Sequence, residues 1–284
     1  MVKGGGGRIL PVYGGHIPIL SPAELTRYAR QLALEGWDRE AQERLKSSRV
    51  FMAGAGGLAC AAAVPLLAAG LGALRLVDHS RISLSELGHQ SLFRERDLGK
   101  ARAAVAESRL QEINPFSRVE GSVKALTEHN VWRLTSGCHL LLACWDDAGA
   151  GALLNQAAAR WRLPLVHAWI WGMHGCLTTF WAGRGPCLAC APPEAAPPEA
   201  APAGDCPSLP FPPPPQPTPQ PSPQMAPLPG IVGGLQALEA LRILASLGPA
   251  LLGRMLVFNG QRLQFLEKHI KPQPQCPVCR RLSP

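Results

Sequence analysis

Two Cys-x-x-Cys pairs, Cys187-Leu-Ala-Cys190 and Cys276-Pro-Val-Cys279, carry the plainest chemical signal in the chain. Each pair can offer two thiolates to one ion, and two such pairs complete the tetrahedral set that holds a structural Zn2+. The interval between the pairs is much longer than in a zinc finger, so a shared zinc would staple the C-terminus back onto the body. The alternative is four free thiols or two redox pairs. A tetrahedral all-thiolate set favours zinc over that reading.

A second constellation is the stretch Arg49-Val-Phe-Met-Ala-Gly-Ala-Gly-Gly-Leu-Ala59. An apolar run of strand character ends in Gly54, Gly56 and Gly57 and passes directly into an Ala/Leu-rich helical pattern. Glycines there let the backbone turn sharply and bring phosphates close to the N–H groups of the helix's first turn, where the dipole favours negative charge. Ala59 stands where this fingerprint accepts a small residue. A second apolar run, Ala73 to Val77, ends in Asp78, about 20 residues on, where a ribose-binding carboxylate is expected. An ordinary buried strand-helix-strand unit would use the same glycines for packing only. The context of strand, turn, helix and acid places nucleotide binding ahead of it.

These groups need a scaffold, and the chain supplies one in order. Ser21-Pro-Ala-Glu24 reads as a capped helix start carrying Arg27-Tyr-Ala-Arg-Gln31, and a second helical segment runs through Ala41 and Leu45. After Asp78 comes an irregular polar piece to Asp97, then a helix from about Lys100 to Glu112, stopped by Pro115. Strands are expected at 118–123, 139–144 and 163–167, with a helix over 150–160. Strands alternating with helices imply a parallel sheet with right-handed crossovers. Trp145-Asp-Asp147 then falls just past a strand's carboxyl end, where open sheets of this type bind ligands. Leu177 to Trp181 alternates like a half-exposed strand. A helix follows over 230–244, and a closing hairpin is expected around Asn259-Gly260 as a type I′ turn.

The expected organisation is a flexible leader over 1–21, a nucleotide-binding domain over 22–191, a Pro/Ala-rich mobile crossover over 192–229, and the rest of that domain over 230–284. The fold class is α/β, Rossmann-like and doubly wound, with a mainly parallel sheet and a C-terminal antiparallel extension. The chain has 284 residues and a net charge of +8. That balance suits an anionic partner, yet the basic residues are scattered without a Lys/Arg run, which argues against nucleic acid. Val50 to Val77 is apolar enough to mimic a membrane span, but its glycines and Pro65 fit a buried strand-turn-helix instead, so no membrane association is expected. Nine cysteines and no apolar leader point to a reducing, cytoplasmic setting. Cys206, in the Pro-rich stretch, lacks a cationic neighbour to lower its pKa, and Cys60, Cys138, Cys144 and Cys176 sit in core-like surroundings.

The succession Arg27-Tyr-x-Arg-Gln31, Gly54-x-Gly-Gly-Leu58, Asp78, Ser-Leu-Ser, Leu92-Phe-Arg-x-x-Asp-x-Gly99, Ile113-Asn-Pro115, Asp146, the two CxxC pairs and Gly233-Gly-Leu-Gln-Ala-Leu-Glu239 resembles the ThiF/MoeB/HesA family, relatives of the ubiquitin-activating enzymes. The layout is similar to that of the molybdopterin-synthase adenylyltransferases. The resemblance covers about residues 22 to 281 and implies adenylation: the C-terminal carboxylate of a ubiquitin-like or sulfur-carrier protein ending in Gly-Gly attacks the α-phosphate of ATP. It implies that Gly54, Gly56 and Gly57 cradle ATP, Asp78 holds the ribose, Asp146 serves Mg2+ or the phosphates, and Arg30 reaches across a homodimer or heterodimer interface to a neighbour's ATP.

Departures from the family pattern cluster on the phosphate side. The second acid after Asp78 is Ser80, the Asn becomes Glu86, the phosphate-binding Arg becomes His89, and the Lys becomes Arg102, with Lys100 nearby. The segment usually read as Asp-Cys-x-Asp-Asn is Ala143-Cys-Trp-Asp-Asp147. Two functional expectations follow. One is a working adenylyltransferase using ATP, Mg2+ and structural zinc, with Arg30, Arg102, Asp146 and His89 as its catalytic candidates. The other is a pseudoenzyme or dimerisation partner that lends an arginine finger or binds nucleotide weakly. A dehydrogenase reading of the same glycines is supported by neither the CxxC pairs nor Arg27-Tyr-x-Arg-Gln31.

Overall fold

In the computed structural model, residues 18–144, 148–191 and 224–280 are described. The helices are α1 (Pro22–Arg27), α2 (Ala29–Leu32), α3 (Arg39–Ser47), α4 (Gly57–Ala68), α5 (Arg102–Gln111), α6 (Val131–Thr135), α7 (Ala148–Trp161) and α8 (Leu228–Leu244). The strands are β1 (Arg49–Ala53), β2 (Ala73–Val77), β3 (Arg118–Ser122), β4 (Leu140–Ala143), β5 (Leu165–Trp171), β6 (His174–Phe180), β7 (Arg254–Asn259) and β8 (Gln264–His269). They form one sheet of eight strands in the order β3-β2-β1-β4-β5-β6-β7-β8.

The first five strands pair in parallel, because each is separated from its sheet neighbours by helical crossovers. From β5 to β8 every pairing is antiparallel. The order reverses between β1 and β4, which is the topological switch where a crevice opens beyond the strand ends. β1 and β4 are apolar almost throughout and are buried on both faces. One packed layer joins α4, α5 and α8 to one face, and a second joins α6 and α7 to the other.

Several sequence-based expectations shift. β6 was expected to be half-exposed, but Gly175 to Phe180 are all buried. Leu177 packs into one core layer while Cys176 and Phe180 pack into the other, so both of its faces are packed. The α8 helix begins at Leu228, inside the span expected as crossover, with Pro229 in its first turn, where a missing N–H costs nothing. The hairpin is not a two-residue type I′ turn. Four residues separate β7 from β8, Asn259 Oδ1 accepts hydrogen bonds from the N–H groups of Gln261 (3.0 Å) and Arg262 (3.2 Å), and Leu263 takes φ +52°. The side chain of Asn259 thus stabilises a longer loop.

The last residues of the expected leader belong to the fold. Leu20 is buried and its N–H donates to Glu43, while Lys46 Nζ reaches both the Ile19 carbonyl and Glu24. Ser21 and Glu24 form the expected capping box. Residues 1–17 of that leader, residues 192–223 of the crossover, Asp146 and Cys206 lie outside the described residues. Among the described residues, no helix is long and apolar enough to cross a membrane.

Candidate functional site

The glycine bend forms because β1 must turn into α4 within three residues. Gly54 takes φ +100°, a conformation that an L side chain rarely adopts. The N–H of Gly54 donates to the Val77 carbonyl at 2.8 Å, which ties the bend to the end of β2. Gly56 caps α4 in an extended conformation and is partly exposed, with open space where a Cβ would stand. The first-turn N–H groups of Gly57, Leu58 and Ala59 have no intrahelical acceptor, which is the basis of anion binding at a helix start.

Asp78 sits at the tip of β2 as the sequence placed it, and its carboxylate is turned inward. Oδ2 accepts the Ala55 N–H at 2.8 Å, Oδ1 accepts the Ser80 N–H at 2.7 Å, and the residue is fully buried. In this conformation Asp78 braces the bend and presents no exposed oxygen to a sugar. Arg102 Nη1 stands 3.9 Å from Oδ2.

The polar segment after β2 folds back over the bend. Ser83 and Glu86 close a reciprocal cap on a single 3₁₀ turn, and Glu86 forms a short ion pair with Arg102. Arg102, at the first position of α5, is therefore held by two carboxylates, and its Nε is buried with no hydrogen-bond partner. Burial also pushes the Arg102 pKa below its usual value, with Asp78 opposing the shift. His89 packs against the start of α4. A Cβ on Gly57 would stand 2.9 Å from the His89 carbonyl oxygen, 3.1 Å from its imidazole and 3.1 Å from the Pro229 ring. Burial lowers the His89 pKa, so the ring is neutral at pH 7.

Other candidates diverge. Lys100 Nζ pairs with Asp97 at 3.2 Å, in the loop that Asp97 organises. Asp97 is itself buried and also takes the Arg94 N–H and the Arg109 guanidinium. Arg30 lies exposed on α2 and contacts no polar group among the described residues, whereas its motif neighbours are internal fasteners. Tyr28 is buried and accepts from Asn114 at 2.8 Å, Asn114 also donates to the Leu67 carbonyl, and Gln31 donates to Gln42 and to the Ala69 carbonyl. In the α8 motif, Gln236 donates to the Ala143 and Val166 carbonyls. Glu239 accepts from Thr179 and from the Ala250 and Leu251 N–H groups.

The four-cysteine cluster is complete. Cys187, Cys190, Cys276 and Cys279 bring their sulfurs within 4.8 Å of one another, and all four are buried. Individual separations are 3.9 Å for 187–190, 3.5 Å for 187–276 and 3.4 Å for 190–279. Zn–S bonds of about 2.3 Å in a tetrahedron place sulfurs roughly 3.8 Å apart, so the set fits zinc. Burial raises the Cys187 thiol to about 11. Cys276 is drawn down to about 7: burial opposes ionisation there, but the N–H groups of Cys279 and Val278 outweigh it. Around the thiols, Gln273 N–H points at Cys190 Sγ at 3.4 Å.

Asn155 was missing from the sequence reading. From α7 its amide approaches Cys187 Sγ at 3.8 Å and accepts the Leu188 N–H at 2.9 Å. Its only sequence signal is a polar residue on an otherwise Ala/Leu face. Pro229 over Gly57 was missed as well, because nothing local pairs residues so distant.

Residues 28–278 match the family described as the ThiF family. The chain is 33% identical over 265 residues to protein HesA of Leptolyngbya boryana, covering 93% of this chain and 89% of that one. It is 33% identical over 263 residues to the adenylyltransferase and sulfurtransferase MOCS3 of Drosophila persimilis, covering 92% of this chain but 54% of the relative, so it spans about half of that protein's length. Among solved structures, E. coli MccB with ATP superposes with a TM-score of 0.72 at 19% identity, covering 89% of this chain and 74% of that one. PaaA superposes with a TM-score of 0.72 at 21% identity, covering 93% and 79%. At those identities the likeness is one of fold.

Proposed function

Because the chain belongs to the ThiF family, we propose that it adenylates the C-terminal carboxylate of a ubiquitin-like or sulfur-carrier protein ending in Gly-Gly. The observation that carries this reading is the glycine bend braced by Asp78. It leaves Gly56 partly open beside the orphan N–H groups of a twelve-residue helix, at the carboxyl ends of β1 and β4. In the reaction a carboxylate oxygen of the carrier bonds to the α-phosphorus of ATP, the bond from that phosphorus to the bridging oxygen breaks, and pyrophosphate leaves. The product is an acyl-adenylate. No protein nucleophile is needed; the chain's work is to align the two anions and offset their charge.

In this proposal the first turn of α4 receives a phosphate and Arg102 supplies positive charge once it leaves Glu86. Arg30, exposed and unpaired among the described residues, is free to reach the nucleotide of a second subunit. Asp146 would hold Mg2+, whose charge would offset that of the leaving pyrophosphate. The four cysteines hold zinc as a structural clasp between the end of β6 and the C-terminal segment. Exchange of labelled pyrophosphate into ATP, stimulated by a Gly-Gly-ending carrier, is the expected signature. Absence of exchange with every sulfur-carrier and ubiquitin-like protein of the source cell would overturn catalytic activity.

Particular observations support a second reading, a family member whose nucleotide site has lost turnover. His89 and Pro229 crowd Gly57, Glu86 holds Arg102, and Asp78 has both oxygens engaged. Such a chain serves as a partner subunit and lends Arg30. Calorimetric titration with Mg-ATP separates the two: saturable binding with exchange supports the enzyme, and no measurable binding supports the partner.

A further inference from the structure

A second cavity lies at the opposite edge of the sheet from the glycine bend. It holds about 480 Å³, within the range of small-molecule sites, and its walls are the segments that precede β4 and β5 and the loop that follows β6. Register fixes its place. The N–H of His139, just before β4, donates to the Arg49 carbonyl at the first residue of β1, and Leu165 of β5 pairs with Phe180 of β6. The cavity is therefore at the amino-terminal ends of the parallel strands, a full strand length from Gly54 and Asp78, and no part of the adenylation proposal uses it.

The lining combines indole surface with unpaired positive charge. Trp181 is buried, its Nε1 donates to the Arg162 carbonyl at 3.0 Å, and the Arg184 guanidinium stacks over its ring at 4.4 Å. Trp161 is 40% exposed, anchored by Nε1 to Thr135, and backed by the Arg160 guanidinium at 5.4 Å. Arg162 and Arg184 are both exposed, line the same cavity, and form no ion pair or side-chain hydrogen bond among the described residues. Among the described residues, no aspartate or glutamate lines it. Arg162 is held at φ +54°, outside the conformations a large side chain prefers, by the turn between α7 and β5.

Elsewhere in this chain, arginines with carboxylates in reach are paired with them, as Arg75, Arg102, Arg109 and Arg254 are. Two forks facing one cavity, with no acid among the described residues of its wall, are suited to an anion brought from outside, and the exposed indole of Trp161 suits a ring. We infer that this cavity is a binding site for a small aromatic acid, its ring against the exposed indole of Trp161 and its anionic group held by Arg162 and Arg184.

Sodium 2-naphthoate is the probe, titrated by calorimetry into the full chain with and without millimolar Mg-ATP. Saturable one-site binding is expected that Mg-ATP does not displace. Arg162→Gln and Arg184→Gln, both at exposed positions, should each weaken it roughly tenfold, the scale of one lost charge-assisted hydrogen bond, with unchanged melting temperature. The uncharged analogue 2-naphthamide should bind at least about tenfold more weakly for the same reason. The inference is overturned by any of four results: no saturable binding below about 1 mM, equal affinity for the amide, displacement by Mg-ATP, or affinity unchanged in both arginine variants.

Discussion

The cysteine cluster and the glycine crevice are both assembled from distant segments, and they differ in how their polar groups are employed. In the cluster, four thiols from two segments far apart in the chain converge on one another, with the Asn155 amide and the Gln273 N–H turned toward the sulfurs. In the crevice, the backbone has the form a phosphate requires, but the charged side chains are engaged with each other: Arg102 is held by Glu86 and Asp78. A site made of backbone N–H groups persists as long as the fold does. A site made of side-chain charge can be rewired by two substitutions without disturbing a strand.

That contrast can be broken most forcefully at the cluster. Removing zinc with a chelator, or Cys276→Ser, should lower the melting temperature by about 10 °C or more, since structural zinc binding is folding free energy. Scanning calorimetry with and without chelator checks it, and an unchanged transition would show that the thiols hold no ion that matters.

The next effect is on the same half of the molecule. His167, on β5 and 4% exposed, has its pKa pushed down to about 4 by burial from an ordinary 6.5. The unfolded chain therefore binds the extra proton first. The associated stability is complete above pH 6.5 and is lost as pH falls toward 4, by roughly 3 kcal/mol. Denaturant titrations across that window should show wild type losing roughly that much stability relative to His167→Gln as the pH falls, and a pH-independent difference between the two would refute it.

Between the two regions, Gly233→Ala tests whether α8 is pressed against the helix that starts at the bend. An added Cβ would stand 2.7 Å from that of Ala61 and 2.9 Å from the Leu58 carbonyl, so a loss of about 1–3 kcal/mol is expected from overpacking. Urea unfolding measures it, and a neutral outcome would mean that α4 and α8 can separate freely.

The finest test sharpens the account of the crevice. Glu86→Asn with His89→Arg releases Arg102 and restores a cation over the bend, and should tighten Mg-ATP binding roughly tenfold to a hundredfold, the scale of one or two charge-assisted contacts. If affinity stays the same, the engaged charges are not what sets nucleotide binding.

Much of this was legible in the chain itself. Short-range rules fixed the capped start of α1, the strand-glycine-helix passage from Arg49 to Ala68 and the acid at the tip of β2, because turn chemistry and apolar periodicity act over a few residues. The two CxxC pairs announced their joint use, since thiolate spacing is itself the signal. Tertiary structure alone decided which way side chains face and with whom they pair. It turned Asp78 inward onto Ala55 and Ser80, gave Arg102 to Glu86, set Pro229 over Gly57 and buried both faces of β6. Those outcomes depend on which distant segments arrive at the same place, and charge, unlike backbone geometry, goes to whichever opposite charge is nearest once the chain has folded.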